Sequence, residues 1–136
     1  MKGVSLQQDK HIDSRIARIR ALLEDKKGED IEVFNLQERD YIVDRVVIVS
    51  AMVGKHAFAL LDYLKSELKP KGEVFYATEE DNEDWIIADL GDIMIHIFTP
   101  NHRKKFNLEE FLSSLIAQKS ADSMQPYAKV EAKKEA

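Results

Sequence analysis

The stretch Trp85-Ile86-Ile87-Ala88-Asp89-Leu90-Gly91-Asp92-Ile93-Met94-Ile95-His96-Ile97-Phe98 reads as two β-strands joined at Gly91-Asp92. Glycine and aspartate suit a two-residue hairpin turn, whose backbone enters positive φ. That register sets Leu90 opposite Ile93, Ala88 opposite Ile95 and Ile86 opposite Ile97. Side chains alternate along a strand, so one face is wholly aliphatic and predicts a core surface. The other face pairs Trp85 with Phe98, Ile87 with His96 and Asp89 with Met94. It is too apolar for a freely solvated surface and too polar for a plain core. Two readings stay open: a partner site anchored by the tryptophan, or a face covered by a helix of the same domain.

On the N-terminal side, Val46 to Met52 is a continuous apolar run rich in β-branched residues. It predicts a strand buried on both faces, near the middle of a sheet. Gly54 to Leu68 follows as an amphipathic helix with Ala57, Leu60, Leu61, Leu64 and Leu68 inward, stopped by Pro70 and Gly72. Val74 to Ala77 predicts a third strand, and Thr78 to Asp84 an acidic loop. Further back, Ile31 to Leu36 is a short strand candidate and Glu38 to Asp44 a polar loop. Asp9 to Lys27 carries Ile12, Ile16, Ile19, Leu22 and Leu23 at helical spacing, with Gly28 as its C-terminal signal.

On the C-terminal side, His102-Arg103-Lys104-Lys105 reads as a solvated basic loop. A last helix starts at Asn107, with Asn107 as N-cap and Glu110 at the third helical position. Leu108, Phe111, Leu112 and Leu115 form its apolar stripe. The expected organisation is one domain over residues 1–118, with its sheet core over 30–115, and a flexible tail over 119–136.

Composition narrows the function. A chain of 136 residues buries a real core without staples, and it has no cysteine for disulfides or thiolate metal sites. No apolar run approaches the roughly 20 residues that span a bilayer, so no membrane role is expected. Asp9 and Asp13 among the N-terminal bases argue for a mature helix over a targeting segment. The net charge is -5, and residues 73–99 hold eight acids and no lysine or arginine. That stretch repels phosphate backbones, so direct nucleic-acid binding is not expected. It suits a basic protein surface, although solvated acidic loops are common.

Catalytic patterns are missing. The histidines at 11, 56, 96 and 102 have no metal-ligand spacing, and no nucleophile elbow or glycine-rich phosphate loop occurs. Asp89 and Asp92 are a possible metal pair, but Asp92 falls in the turn. No catalytic residue, metal or cofactor is therefore expected.

The hairpin closely resembles the signature of ribosomal silencing factors, the Iojap-like family: a Trp, an Asp-x-Gly-Asp turn and a His in a β-branched strand. The match continues through Pro100, Arg103, Phe106 and Leu108-Glu109, and includes Asp44 and Lys55-His56. It covers roughly residues 30–115. The chain departs from the pattern at Ser50-Ala51-Met52-Val53, where Thr-Gly-Thr-Ser is usual. It departs again at Arg45, usually aromatic, and at Leu112, often a tryptophan. The resemblance implies a single α/β domain: a mixed five-stranded sheet flanked by helices, nucleotidyltransferase-like in topology without that active site. It implies binding to the large ribosomal subunit through ribosomal protein fourteen and a steric block on subunit joining when nutrients are scarce. It also implies a cytoplasmic protein and a homodimer when free. The alternatives are a nucleotide-binding enzyme on the same fold, or a dimeric scaffold without ribosome contact. Expected partner-binding residues are Trp85, Ile87, Asp89, Leu90, Asp92, Met94, His96 and Phe98.

Overall fold

The computed structural model describes residues 2–118, with side chains from residue 11 onward. The chain runs α1 (Lys2–Asp25), β1 (Glu29–Asn35), β2 (Arg45–Ser50), α2 (Gly54–Leu68), a 3-10 turn (Lys69–Lys71), β3 (Ala77–Glu79), β4 (Trp85–Asp89), β5 (Ile93–Phe98), α3 (Pro100–Phe106) and α4 (Leu108–Ala117). The five strands make one mixed sheet in the order β1-β2-β5-β4-β3. Only β2 and β5 run parallel, and the other neighbours are antiparallel. The fold class is the one expected.

Helices cover the sheet from both sides. One core layer joins Ile12, Ile19 and Leu23 of α1, and Ala57, Leu60, Leu61, Leu64 and Leu68 of α2, to the aliphatic hairpin face. Ile86, Ala88, Leu90, Ile93, Ile95 and Ile97 all lie in that layer, as the alternation predicts. The second layer is smaller. It packs Leu108 and Leu112 of α4 on Phe34, Val46, Ile48 and Phe98. Every residue of β2 is buried, because its two faces feed the two layers.

Strands β1 and β2 shift by one or two residues from the expected Ile31 to Leu36 and Val46 to Met52, and three further differences are larger. The third strand is Ala77–Glu79 rather than Val74–Ala77. The Tyr76 N–H donates to the Asp89 carbonyl at 2.9 Å, and Ala77, Thr78 and Glu79 then face Asp89, Ala88 and Ile87. Main-chain pairing with β4 sets this edge strand, and an edge strand needs no apolar content. Helix α1 begins at Lys2, before the expected Asp9, and ends at Asp25. Its C-terminal left-handed residue is Lys27, φ 71°. Gly28 serves close approach instead: a Cβ there would lie 2.8 Å from Val49 Cγ2 and 3.0 Å from the Leu23 carbonyl oxygen.

The third difference is α3. The supposed basic loop is a helix, started by Pro100 at its first position and stopped by Asn107 in the left-handed region at φ 55°. Asn107 therefore does not cap α4 through its side chain. Its amide nitrogen donates to the Glu110 carboxylate at 3.1 Å. The expected tail, 119–136, lies outside the described residues.

Candidate functional site

The hairpin register is the predicted one: Trp85 faces Phe98, Ile87 faces His96 and Asp89 faces Met94. Residues opposite one another share a face, so the ladder extends this surface across the sheet. One row runs Glu79, Ile87, His96, Ile48, and the next Ala77, Asp89, Met94, Val46. The reading of a face covered by a helix of the same domain holds for half of it. Helix α4 covers its β1–β2 half, with Phe111 against Tyr41 and the Ile116 carbonyl accepting from Arg39 at 3.1 Å. On the β4–β5 half, Trp85, Ile87, Asp89 and Met94 stay half-buried, while His96 and Phe98 are buried.

Trp85 sits at the centre of an aromatic cluster drawn from β4, β5 and α3. Its ring stacks on Phe98 at 5.2 Å between centroids, tilts against Phe106 at 4.3 Å and lies 6.0 Å from His102. Phe106 is 48 % exposed and extends the apolar surface beyond the hairpin. The Trp85 indole N–H donates to His96 Nδ1 at 3.0 Å. Burial pushes the His96 imidazole down to about 4, so the ring is neutral at ordinary pH. With Nδ1 accepting, the proton sits on Nε2, which is buried and has no partner among the described residues.

Two expected site residues are directed elsewhere. Leu90 is buried with the aliphatic face and adds nothing to the mixed one, because alternation turns it inward. Asp92 is engaged with α1. Arg15 gives it two hydrogen bonds, at 2.7 and 2.9 Å, and gives Glu73 two more, at 2.8 and 2.9 Å. The Asp92 and Glu73 hydrogen bonds hold the Arg15 guanidinium well above its usual range. Burial pushes the Asp92 carboxyl up, but the Arg15 hydrogen bond and charge outweigh it, leaving Asp92 below its usual range. Asp89 keeps its place on the face, although its Oδ1 also accepts from the Gly91 N–H at 2.8 Å.

Two residues were missed as parts of the site. Phe106 was read only as one element of a motif. Arg103, assigned to solvated charge, is buried. It donates to Glu109 at 2.9 Å through Nε and to Ser50 Oγ at 2.8 Å, which ties α3 to α4 and to the end of β2. The available signal was an arginine and a glutamate on opposite sides of Asn107. The departures from the motif also find partners. Arg45 is buried against Asn35 Oδ1 and Gln37 Oε1, at 2.9 and 2.8 Å. The Met52 N–H donates to His56 Nδ1 at 2.9 Å, which steadies the loop before α2.

A cleft of about 630 Å³ opens at the carboxyl ends of the parallel strands, where α/β sheets commonly bind ligands. Its lining includes Met52, Val53, Asp84, Thr99, His102 and Lys105. Asp84 is the only carboxylate among its described lining residues, and it accepts from Thr99 Oγ1 at 2.9 Å. Among the described residues no three His, Cys, Asp or Glu side chains group to hold a metal. No helix among them is long and apolar enough to cross a membrane.

The family model described as ribosomal silencing factor during starvation matches residues 9–136. This chain belongs to the ribosomal silencing factor family. The ribosomal silencing factor of Haemophilus influenzae is 32 % identical over 89 residues, covering 65 % of this chain and 87 % of that one. The Mus musculus mitochondrial assembly of ribosomal large subunit protein 1 is 29 % identical over 94 residues, covering 66 % of this chain and 41 % of that one. A solved structure from Chromobacterium violaceum superposes with a TM-score of 0.69 at 22 % identity, covering 74 % of this chain and 85 % of that chain. One from Bacillus halodurans gives 0.65 at 24 %, covering 73 % and 93 %. These structures carry the fold. The aromatic surface combines the half-buried Trp85 of the hairpin with the exposed Phe106 of α3.

Proposed function

We propose that this silencing factor binds the large ribosomal subunit through ribosomal protein fourteen and sterically blocks subunit joining, lowering translation when nutrients are scarce. The reading makes the chain a cytoplasmic, non-enzymatic regulator. Family membership supports a ribosome-associated role, and the mouse relative's name points to the large subunit. The observation that carries the docking site is the half-buried Trp85 cluster, an aromatic anchor at the edge of a largely apolar face. Partly exposed aromatic clusters of this kind concentrate binding energy. Glu79 and Asp89 share the face, and their charge favours a basic partner. The contacting residues are then Trp85, Ile87, Asp89, Met94 and Phe106, with His96 and Phe98 supporting them from beneath.

The test is sedimentation with purified subunits. The protein should travel with isolated large subunits, be absent from intact monosomes, and reduce monosome formation when small subunits are added. Equal signal on translating ribosomes would count against the blocking mechanism.

A further inference from the structure

His96 Nε2 is the one buried imidazole nitrogen without a partner among the described residues. The residue is 4 % exposed and lies in the row Glu79, Ile87, His96, Ile48 of the mixed face. Its tautomer follows from geometry, because Nδ1 already accepts the Trp85 indole N–H. Nε2 must therefore be a donor. A buried donor without an acceptor is costly, and natural folds keep few of them. Helix α4 closes the β1–β2 side of the face. The approach that remains is from the β4–β5 side, past the half-buried Ile87 and Met94. Met94, the next residue on that face of β5, is unbranched and can repack when a partner docks.

The surroundings select the chemistry of what arrives. Glu79 ends this row and Asp89 lies in the next row on the same face, so an incoming carboxylate meets like charge. The indole N–H is already engaged, so Trp85 offers a docking group only its carbon surface. Resting on the docking reading above, we propose that His96 Nε2–H recognises a neutral acceptor, a backbone or side-chain amide carbonyl oxygen, on a basic segment of the ribosomal protein partner. His96 then determines specificity as well as orienting Trp85. The face demands an apolar group against Trp85, a carbonyl oxygen beside it, and basic residues around both.

Two substitutions separate this role from a structural one. His96→Leu removes the orphan donor together with the acceptor of the Trp85 indole N–H. It should melt near the wild-type temperature, because relief of the orphan donor offsets the lost indole bond, yet bind large subunits about ten-fold more weakly, the loss of roughly one hydrogen bond. His96→Gln keeps one acceptor and one donor on the same side chain, and should restore binding to within about three-fold. In the wild-type chain, the Nε2–H proton resonance should move downfield and exchange more slowly when isolated ribosomal protein fourteen is added. Wild-type binding with His96→Leu binding equally well would overturn the inference alone, as would an Nε2–H resonance that is unmoved in the complex. If His96→Leu fails to fold, the resonance and the His96→Gln variant still decide. Wild-type chain that does not sediment with large subunits would overturn the docking reading and this inference together.

Discussion

Arg15 on α1 and Asp92 in the hairpin turn are 77 residues apart in sequence and share two hydrogen bonds, at 2.7 and 2.9 Å. The same guanidinium holds Glu73, whose side chain is only 6 % exposed. One arginine thus fastens the N-terminal helix to the segment before β3 and to the turn that sets the hairpin register. The Asp92 carbonyl extends the junction by accepting the N–H groups of Asp44 and Arg45.

Removing Arg15 strands two carboxylates, one of them buried. Arg15→Met should therefore destabilise the fold by about 3 kcal/mol or more, the scale for breaking a buried ion pair from one side. Asp92→Asn should cost less, on the order of 1 kcal/mol, because Glu73 still pairs with Arg15 and Asp92 is partly open to solvent. Urea titration of both variants checks the order. Equal losses would mean that the Glu73 arm contributes nothing.

Trp85→Ala tests the aromatic cluster. The side chain is half-buried against Phe98 and Phe106, so the stability loss should stay near 1–2 kcal/mol, below that of a fully buried tryptophan. Large-subunit binding should fall by roughly 2 kcal/mol, about thirty-fold. Melting and sedimentation of the same preparation separate the two effects. A large loss of melting temperature with intact binding would make the tryptophan purely structural.

The acidic side of the face predicts salt dependence. Asp89→Asn keeps the oxygen that accepts the Gly91 N–H and removes only the charge. Combined with Glu79→Gln, it should weaken binding several-fold at low salt and flatten its decline as salt rises. Binding insensitive to salt in the wild type would make these acids bystanders.

Stability should fall in mild acid. Folded His96 stays neutral down to about 4, whereas the unfolded imidazole protonates near 6.5. The unfolded state then binds more protons in that window, so stability is full above it and is lost as pH drops through it. The loss should reach roughly 3 kcal/mol at the acid end. Asp92, held below its usual range, adds a further loss at lower pH still. Denaturation midpoints between pH 4 and 7 should show the slope, and His96→Leu should remove the part due to histidine.

Gly28→Ala places a methyl 2.8 Å from Val49 Cγ2, in the layer that packs α1 and α2 on the sheet. Overpacking of this kind should cost about 1–3 kcal/mol. A neutral thermal shift would show that the backbone can give way there.

Much of this was legible in the residues. The alternation from Trp85 to Phe98 and the Gly91-Asp92 turn carry the hairpin register, because strand periodicity and turn chemistry are local. Helix α2 begins at Gly54 and ends at Leu68 as its apolar spacing and stop signals predict. The apolar run of β2 announces a strand fed by two layers, and the hairpin motif carries the family. The short elements were less legible. Strand β3 has no large apolar residue and exists through its hydrogen bonds to β4, while α3 is a seven-residue helix that starts at a proline and stops at a left-handed asparagine.

The sequence by itself determined which residues share a face, since two-residue alternation needs no distant partner. Only the tertiary structure decided what each face meets. Asp92 looked available in its turn until α1 brought Arg15 across 77 positions. Arg103 looked solvated until α3 folded it onto Ser50 and Glu109. The mixed face divided where α4 stops, burying its β1–β2 half and leaving Trp85, Ile87 and Met94 at the surface. The proton position on His96 also waited on its neighbour, because one hydrogen bond from Trp85 fixes Nδ1 as acceptor and Nε2 as donor. These outcomes depend on packing between segments far apart in the chain, and no local pattern of residues encodes such contacts.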